Sequence, residues 1–275
     1  MRNKLGNIFT VLLLLVGVAA LLYPTVSDYW NRHFQSTGEA QYNETVKALE
    51  IEDRRAMWDQ AVAYNQGLLA LLHGEEPVGM PNYDEVLSLT DQGIICTLHI
   101  SKIDVHVTVH HGVDEGMLQH YVGHMPSSSM PVGGAGTHCV FVGHRGLPSA
   151  KLFTDLDALA EGDIFVIDTL DERLGYEVDQ ILTVLPHEVD ALAIDPDSDL
   201  CTLVTCTPYG VNSHRLLVRG HRVDLPEEEL ARHVDGEGFR IDPLFVMIAV
   251  VAAILLVFFI LSRPKKQREE ETLET

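Results

Sequence analysis

The 275-residue sequence predicts a mainly β domain, a small barrel or sandwich, with a helical segment before it and an apolar stretch at each end of the chain. Three observations carry this. Short runs rich in β-branched and aromatic residues recur over residues 93–225, with Gly, Pro, Asn and Asp between them. Apolar residues at near-helical spacing precede them over 36–72. Two apolar runs, 5–23 and 243–261, are each about long enough to cross a bilayer.

The first apolar run follows Arg2 and Lys4. The second is followed by Arg263, Lys265, Lys266 and Arg268. Positive charge on the terminal side of both places both termini in the cytoplasm and the middle of the chain outside. Residues 1–24 thus read as an N-terminal membrane anchor, 243–262 as a C-terminal transmembrane helix and 263–275 as a cytoplasmic tail. A cleaved signal peptide is the alternative for the first. Val18-Ala19-Ala20 offers a small-residue cleavage site, but Leu21 and Leu22 continue the apolar run and favour an uncleaved anchor.

Residues 25–92 form a helical segment and a lid-like loop. Tyr42, Val46, Leu49 and Ile51, then Ala56, Trp58, Ala61, Ala63, Leu68 and Leu72, predict one or two helices ending near Gly74. Pro77, Gly79 and Pro81 make the next stretch a loop. The β domain, 93–225, has strand-like runs at 97–100, 105–109, 140–142, 164–167, 176–185, 200–205 and 216–218. One short helix fits near 149–159, and 226–242 reads as a polar linker.

Hydrophobic residues at 46% and charged residues at 21% exclude a disordered chain. A net charge of −21 disfavours nucleic-acid binding, which needs clustered Lys and Arg. His106, His110, His111, His120 and His124 lack any strict ligand spacing, so no metal or other cofactor is expected. Gly133-Gly134-Ala135-Gly136 lies outside any βαβ context and reads as a turn.

The chemistry starts from the cysteines. Cys96, Cys139, Cys201 and Cys206 all lie in the extracytoplasmic part. Exported proteins often pair such cysteines. Cys201 and Cys206 resist pairing if they share a strand, because five residues of strand span about 16 Å and the two side chains face opposite ways. Alternation places Thr202, Val204 and Cys206 on one face, and Cys206 stands last before the breakers Thr207-Pro208-Tyr209-Gly210. Arg215 opens the next run, so a hairpin brings it back beside Cys206. His144 ends another strand-like run, between Gly143 and Gly146. Taken singly, these residues read equally as a buried small hydrophobe, a surface arginine and a satisfied ring. Taken together, they form a catalytic set: a thiolate attacks, an imidazolium protonates a leaving amine, and a guanidinium steadies the developing charge. A cysteine and a histidine at ordinary pKa values, titrating independently, carry both charged forms in only about 1% of molecules at pH 7. Close pairing favours those forms.

Thr202-Leu203-Val204-Thr205-Cys206 resembles the Thr-Leu-x-Thr-Cys signature of the sortase family. Tyr209-Gly210-Val211-Asn212-Ser213-His214-Arg215 follows it and ends on the arginine expected of that family. Val142-Gly143-His144-Arg145-Gly146 resembles the family's histidine loop. Pro148-Ser149-Ala150-Lys151-Leu152-Phe153 resembles class C, the pilin-polymerising sortases, and two anchors fit that class. The resemblance covers roughly 93–223. It implies a closed eight-stranded β-barrel with short helices. It implies cleavage of a Leu-Pro-x-Thr-Gly-like signal between Thr and Gly by Cys206, through a thioacyl intermediate resolved by a pilin lysine. His144 and Arg215 would be catalytic, and Thr205 would support the oxyanion. The implied partners are pilin subunits with C-terminal sorting signals, the membrane and a cell-wall precursor. Wall anchoring, simple hydrolysis and a catalytically silent pilin scaffold are the rival readings. One departure stands out. The class carries a lid with an Asp-Pro-aromatic motif, whereas this chain has Met80-Pro81-Asn82-Tyr83 and no such triplet. Pro81 and Tyr83 are therefore the candidate lid residues, and access to Cys206 is expected to be more open than in the class.

Overall fold

A computed structural model describes residues 2–90, 93–235, 249 and 251–252. Eight strands close into a barrel: β1 (Ile94–Ile100), β2 (Val105–His111), β3 (Val122–His124), β4 (Thr137–Val142), β5 (Ile164–Thr169), β6 (Glu172–Val184), β7 (Asp199–Thr207) and β8 (His214–Val223). Their order around the barrel is β1-β2-β3-β4-β7-β8-β6-β5. Neighbours run antiparallel except β2 with β3 and β4 with β7, which are parallel. Closure leaves no open sheet edge.

The alternation of these strands sorts their side chains into two sets. Cys139 and Phe141 of β4, Cys201 and Leu203 of β7, and Leu216 and Val218 of β8 belong to the main core. Their neighbours of opposite parity, Val140 on β4, Val204 on β7 and Leu217 on β8, form a second cluster on the other face of the same strands. This arrangement sets up the site.

The chain divides into a compact unit at Trp30–Gly238, which holds the barrel, and a separate unit that includes Met1–Tyr29. Two helices precede the barrel, α1 (Arg2–Ala48) and α2 (Ile51–Leu72). They break at Leu49–Glu50, so Ile51 opens a new helix and stands 73% exposed instead of joining the apolar stripe. Leu72 is also exposed, at the far end of α2. Buried polar residues fasten both helices to the barrel. The Gln35 side-chain carbonyl accepts from the Thr108 N–H at 3.0 Å and from its hydroxyl at 2.9 Å. The Tyr42 hydroxyl donates to Ile95 O and accepts from Leu170 N–H. Asn65 bonds both backbone groups of Met130. A buried polar atom without a partner is costly, so these bonds specify where each helix docks.

Two local expectations are corrected, and one strand goes unannounced. β3 has only three residues and no alternating run to announce it. The stretch 149–159 yields only a 3-10 turn at Leu156–Ala158. Its backbone is drawn elsewhere: Phe153 N–H donates to His144 O, and Leu152 takes a positive φ of 35°. The expected polar linker contains a helix, α4 (Glu227–Asp235), seated on the barrel through buried Leu230. Leu230 lies over Gly175, where any Cβ would come within 2.7 Å of it. Among the described residues, no helix is long and apolar enough to cross a membrane. The second apolar stretch, 243–261, lies almost wholly outside the described residues.

Candidate active site

β7 and β8 are register partners along their length, and the last pairs are Thr205 with Leu216, Cys206 with Arg215 and Thr207 with His214. The hairpin therefore sets the guanidinium-bearing residue directly across from the thiol. β4 runs parallel to β7 with Val142 opposite Val204. Gly143 extends the ladder, its N–H donating to Val204 O at 3.0 Å. The Thr205 hydroxyl, buried, donates to Gly143 O at 2.8 Å. Two residues beyond Val142 and two beyond Val204 the chain reaches His144 and Cys206. Cys206, His144 and Arg215 thus share one rim of the barrel.

Cys206 is half-buried and free, and it lies on the face of β7 that carries Val204. The same face carries the apolar cluster of Val140, Val204 and Leu217, against which Leu182, Val184 and Leu192 pack. Cys96, Cys139 and Cys201 are free too, but fully enclosed. Burial, reinforced by neighbouring thiols, pushes the Cys96 and Cys139 thiols well above their ordinary range. All three are residues of the main core.

The His144 loop is braced from below. Arg145 pairs with Asp157, Gly146 N–H donates to the Thr154 hydroxyl, and the Phe153 ring packs against Gly143. Gly146 has a φ of +74°, and a Cβ there would come within 2.5 Å of the Tyr209 ring. Tyr209 follows Cys206 by three residues, so the loops of nucleophile and imidazole pack on each other. His144 is 21% exposed, and its Nε2 lies 3.2 Å from Glu115 Oε1. Arg215 Nη1 donates to His214 O at 3.2 Å and Asn212 O at 3.4 Å. Among the described residues no carboxylate pairs with it.

The other residues expected at this site make structural contacts. Thr205 spends its hydroxyl on Gly143 and ties β7 to the histidine loop. Tyr83 sits in a 3-10 turn (Tyr83–Glu85) as a clasp on the flank of the barrel. Its hydroxyl donates to His124 O and accepts from Gly112 N–H, both at 3.0 Å, and its ring stacks on His124. Pro81 lies just before this turn, half-buried. Among the described residues no group of three or more His, Cys, Asp or Glu could hold a metal. Glu115 gives no signal in the sequence: it stands 29 positions before His144, outside any motif.

A thiol, a guanidinium and an imidazole on one rim of a closed β-barrel define a site for thiol chemistry on a carbonyl. Comparison with known proteins then identifies the family. A family model described as the sortase domain matches residues 98–223. Sortase SrtE1 of Streptomyces coelicolor is 32% identical over 141 residues, 46% of this chain and 40% of that protein, so the chain spans well under half of that relative's length. Sortase C1 of Streptococcus agalactiae is 40% identical, covering 68% of this chain and 98% of that one, with a TM-score of 0.63. A lid mutant of sortase A from Corynebacterium diphtheriae is 41% identical, covering 66% and 98%, with a TM-score of 0.60. Sortase C of Clostridium perfringens, solved with the C-terminal cell wall sorting motif, is 35% identical, covering 69% and 100%, with a TM-score of 0.62. The chain belongs to the sortase family, whose members are cysteine transpeptidases.

Proposed function

We propose that this chain is a class C sortase that joins pilin subunits through their C-terminal sorting signals. The observation that carries the reading is the continuity of Cys206 with the apolar face of Val140, Val204 and Leu217. Apolar side chains of a Leu-Pro-x-Thr-Gly-like signal would bury against that face and bring the Thr–Gly carbonyl to the rim. The likeness to two sortase C structures, over more of the chain than residues 98–223, supports the class.

The reaction is two acyl transfers. The Cys206 thiolate attacks the threonine carbonyl, and Arg215 donates to the oxyanion that forms. Collapse breaks the Thr–Gly bond, and His144, as imidazolium, gives its proton to the departing glycine amine. His144, now neutral, takes a proton from the incoming lysine amine. That amine attacks the thioester and releases the Cys206 thiolate. Protons and charges return to their starting state.

The active domain would work outside the cell, tethered at the membrane. Tyr23, which closes the first apolar run, and Trp30 and Phe34, which follow it, stand exposed, as side chains at a lipid–water boundary do.

Incubating the full chain with a Leu-Pro-x-Thr-Gly peptide and competing amines tests the reading. A thioester on Cys206, resolved by a pilin lysine, is expected. Resolution only by a cell-wall peptide would make the chain an anchoring sortase. Resolution only by water would make it a peptidase, and no thioester under any condition would leave a scaffold.

A further inference from the structure

We infer that Glu115 is the positioning residue of His144: its carboxylate holds the proton on Nε2, so that Nδ1 is the nitrogen that exchanges protons with the reacting groups. The inference rests on the transpeptidase reading for its role and on geometry for the contact.

Glu115 opens α3 (Glu115–Leu118), a single turn on the loop between β2 and β3. Its Oε1 lies 3.2 Å from His144 Nε2, and that nitrogen is buried from water with no aligned hydrogen bond. A small adjustment of either side chain completes the bond. Catalytic hydrogen bonds are often loose in the free enzyme and tighten with substrate bound. Gln119 donates to the same Oε1 at 2.9 Å, which restrains the carboxylate. The loop is itself fixed. Tyr83 accepts from Gly112 N–H, and Gly112 is packed so closely on Gly123 that a Cβ at Gly123 could not fit. The clasp at Tyr83 thereby reaches the rim through the loop that carries Glu115, instead of by covering Cys206.

The chemistry follows from tautomers. A neutral imidazole has one N–H donor and one acceptor nitrogen. A carboxylate beside Nε2 favours the proton there and leaves Nδ1 as acceptor. When the ring is an imidazolium, the carboxylate stabilises its charge, and the mobile proton is the one on Nδ1. Among the described residues, the other ionisable groups of this rim include Cys206 on β7, His214 and Arg215 on β8, Tyr209 packed on the histidine loop, and the Arg145–Asp157 pair beside it. Glu115 is the carboxylate that approaches the ring. It is 76% exposed, so its effect is modest and salt-sensitive.

The test uses the full chain labelled with 15N-histidine, with His144→Gln to assign the ring. In the unsubstituted protein, His144 shows the Nε2–H tautomer. Glu115→Gln, which keeps the shape and removes the charge, shifts the ring toward a tautomer mixture. It lowers kcat for transpeptidation about three- to tenfold with KM within about twofold. An unchanged tautomer in Glu115→Gln overturns the proposal, as does an unchanged kcat. A raised kcat overturns it too, since Glu115 would then be a competitor for the reacting nitrogen. If the unsubstituted chain transfers no peptide to any amine, the sortase reading fails by itself, and the tautomer measurement still decides the contact.

Discussion

The rim and the interior of the barrel hold the same residue types and put them to opposite uses. Cys201 and Cys206 stand on one strand, β7, five residues apart. Cys201 faces the core with Cys139 opposite it on β4, fully enclosed. Cys206 reaches the strand end on the other face and meets an imidazole loop and an arginine. The histidines divide likewise. His124 is fully buried, its Nε2–H donating to Ser129 O, and its pKa is lowered to about 4, mainly by loss of solvation. His144 sits at the rim beside a carboxylate. Position on the strand, and not residue type, decides whether a side chain reacts or packs.

The comparison can be broken most forcefully at the two thiols of β7. Cys206→Ala is expected to lower transpeptidation by about 10⁴-fold or more and abolish the thioacyl adduct seen by mass spectrometry. Cys201→Ala keeps the activity. Loss of turnover in Cys201→Ala with its fold intact would erase the distinction. Arg215 comes next. Arg215→Ala should cost about 10²- to 10³-fold in kcat, the scale for removing one oxyanion donor. Arg215→Lys should rescue little, because an ammonium does not reproduce the guanidinium fork.

The interior histidine gives a pH signature. His124 stays neutral in the fold down to about 4, whereas the unfolded chain takes up the proton near 6.5. Between these values the unfolded state binds more protons. The contribution of His124 is therefore complete above pH 6.5 and is lost as pH falls toward 4, by about 3 kcal/mol in all. Urea denaturation of the unsubstituted chain and of His124→Gln across pH 4–7 checks this: the variant should show a shallower fall over that window. The smallest effect sharpens the thiol comparison again. Cys201→Ala leaves a small core cavity and should cost about 1–2 kcal/mol of stability. A charged methanethiosulfonate reagent should label the native chain once, at Cys206, and four times in denaturant.

Much of this was legible in the sequence. Seven of the eight strands announced themselves by β-rich runs between Gly and Pro, and the helices before the barrel by near-helical spacing. Cys206 and Arg215 were legible because a two-strand hairpin is local: turn residues after a strand return the chain to its neighbour. His144 was legible as a strand end, and the motif resemblance joined it to the others. β3 was not, because three residues are too short for a periodic signal. α4 was not, because its helix shows one buried residue, Leu230, amid an acidic stretch. Tyr83 is a candidate lid by sequence because a loop proline and an aromatic suggest a plug. The structure spends its hydroxyl on Gly112 and His124.

The sequence by itself determined the strand alternation, the place of Cys206 at a strand end and the hairpin that returns Arg215 to it. These depend on neighbours within a few residues, where backbone geometry leaves little choice. Only the tertiary structure decided that β4 lies parallel to β7, bringing the His144 loop level with Cys206, and that the β2–β3 loop sets Glu115 against His144. Such contacts join residues 29 to 62 positions apart, and barrel closure, not local periodicity, selects them.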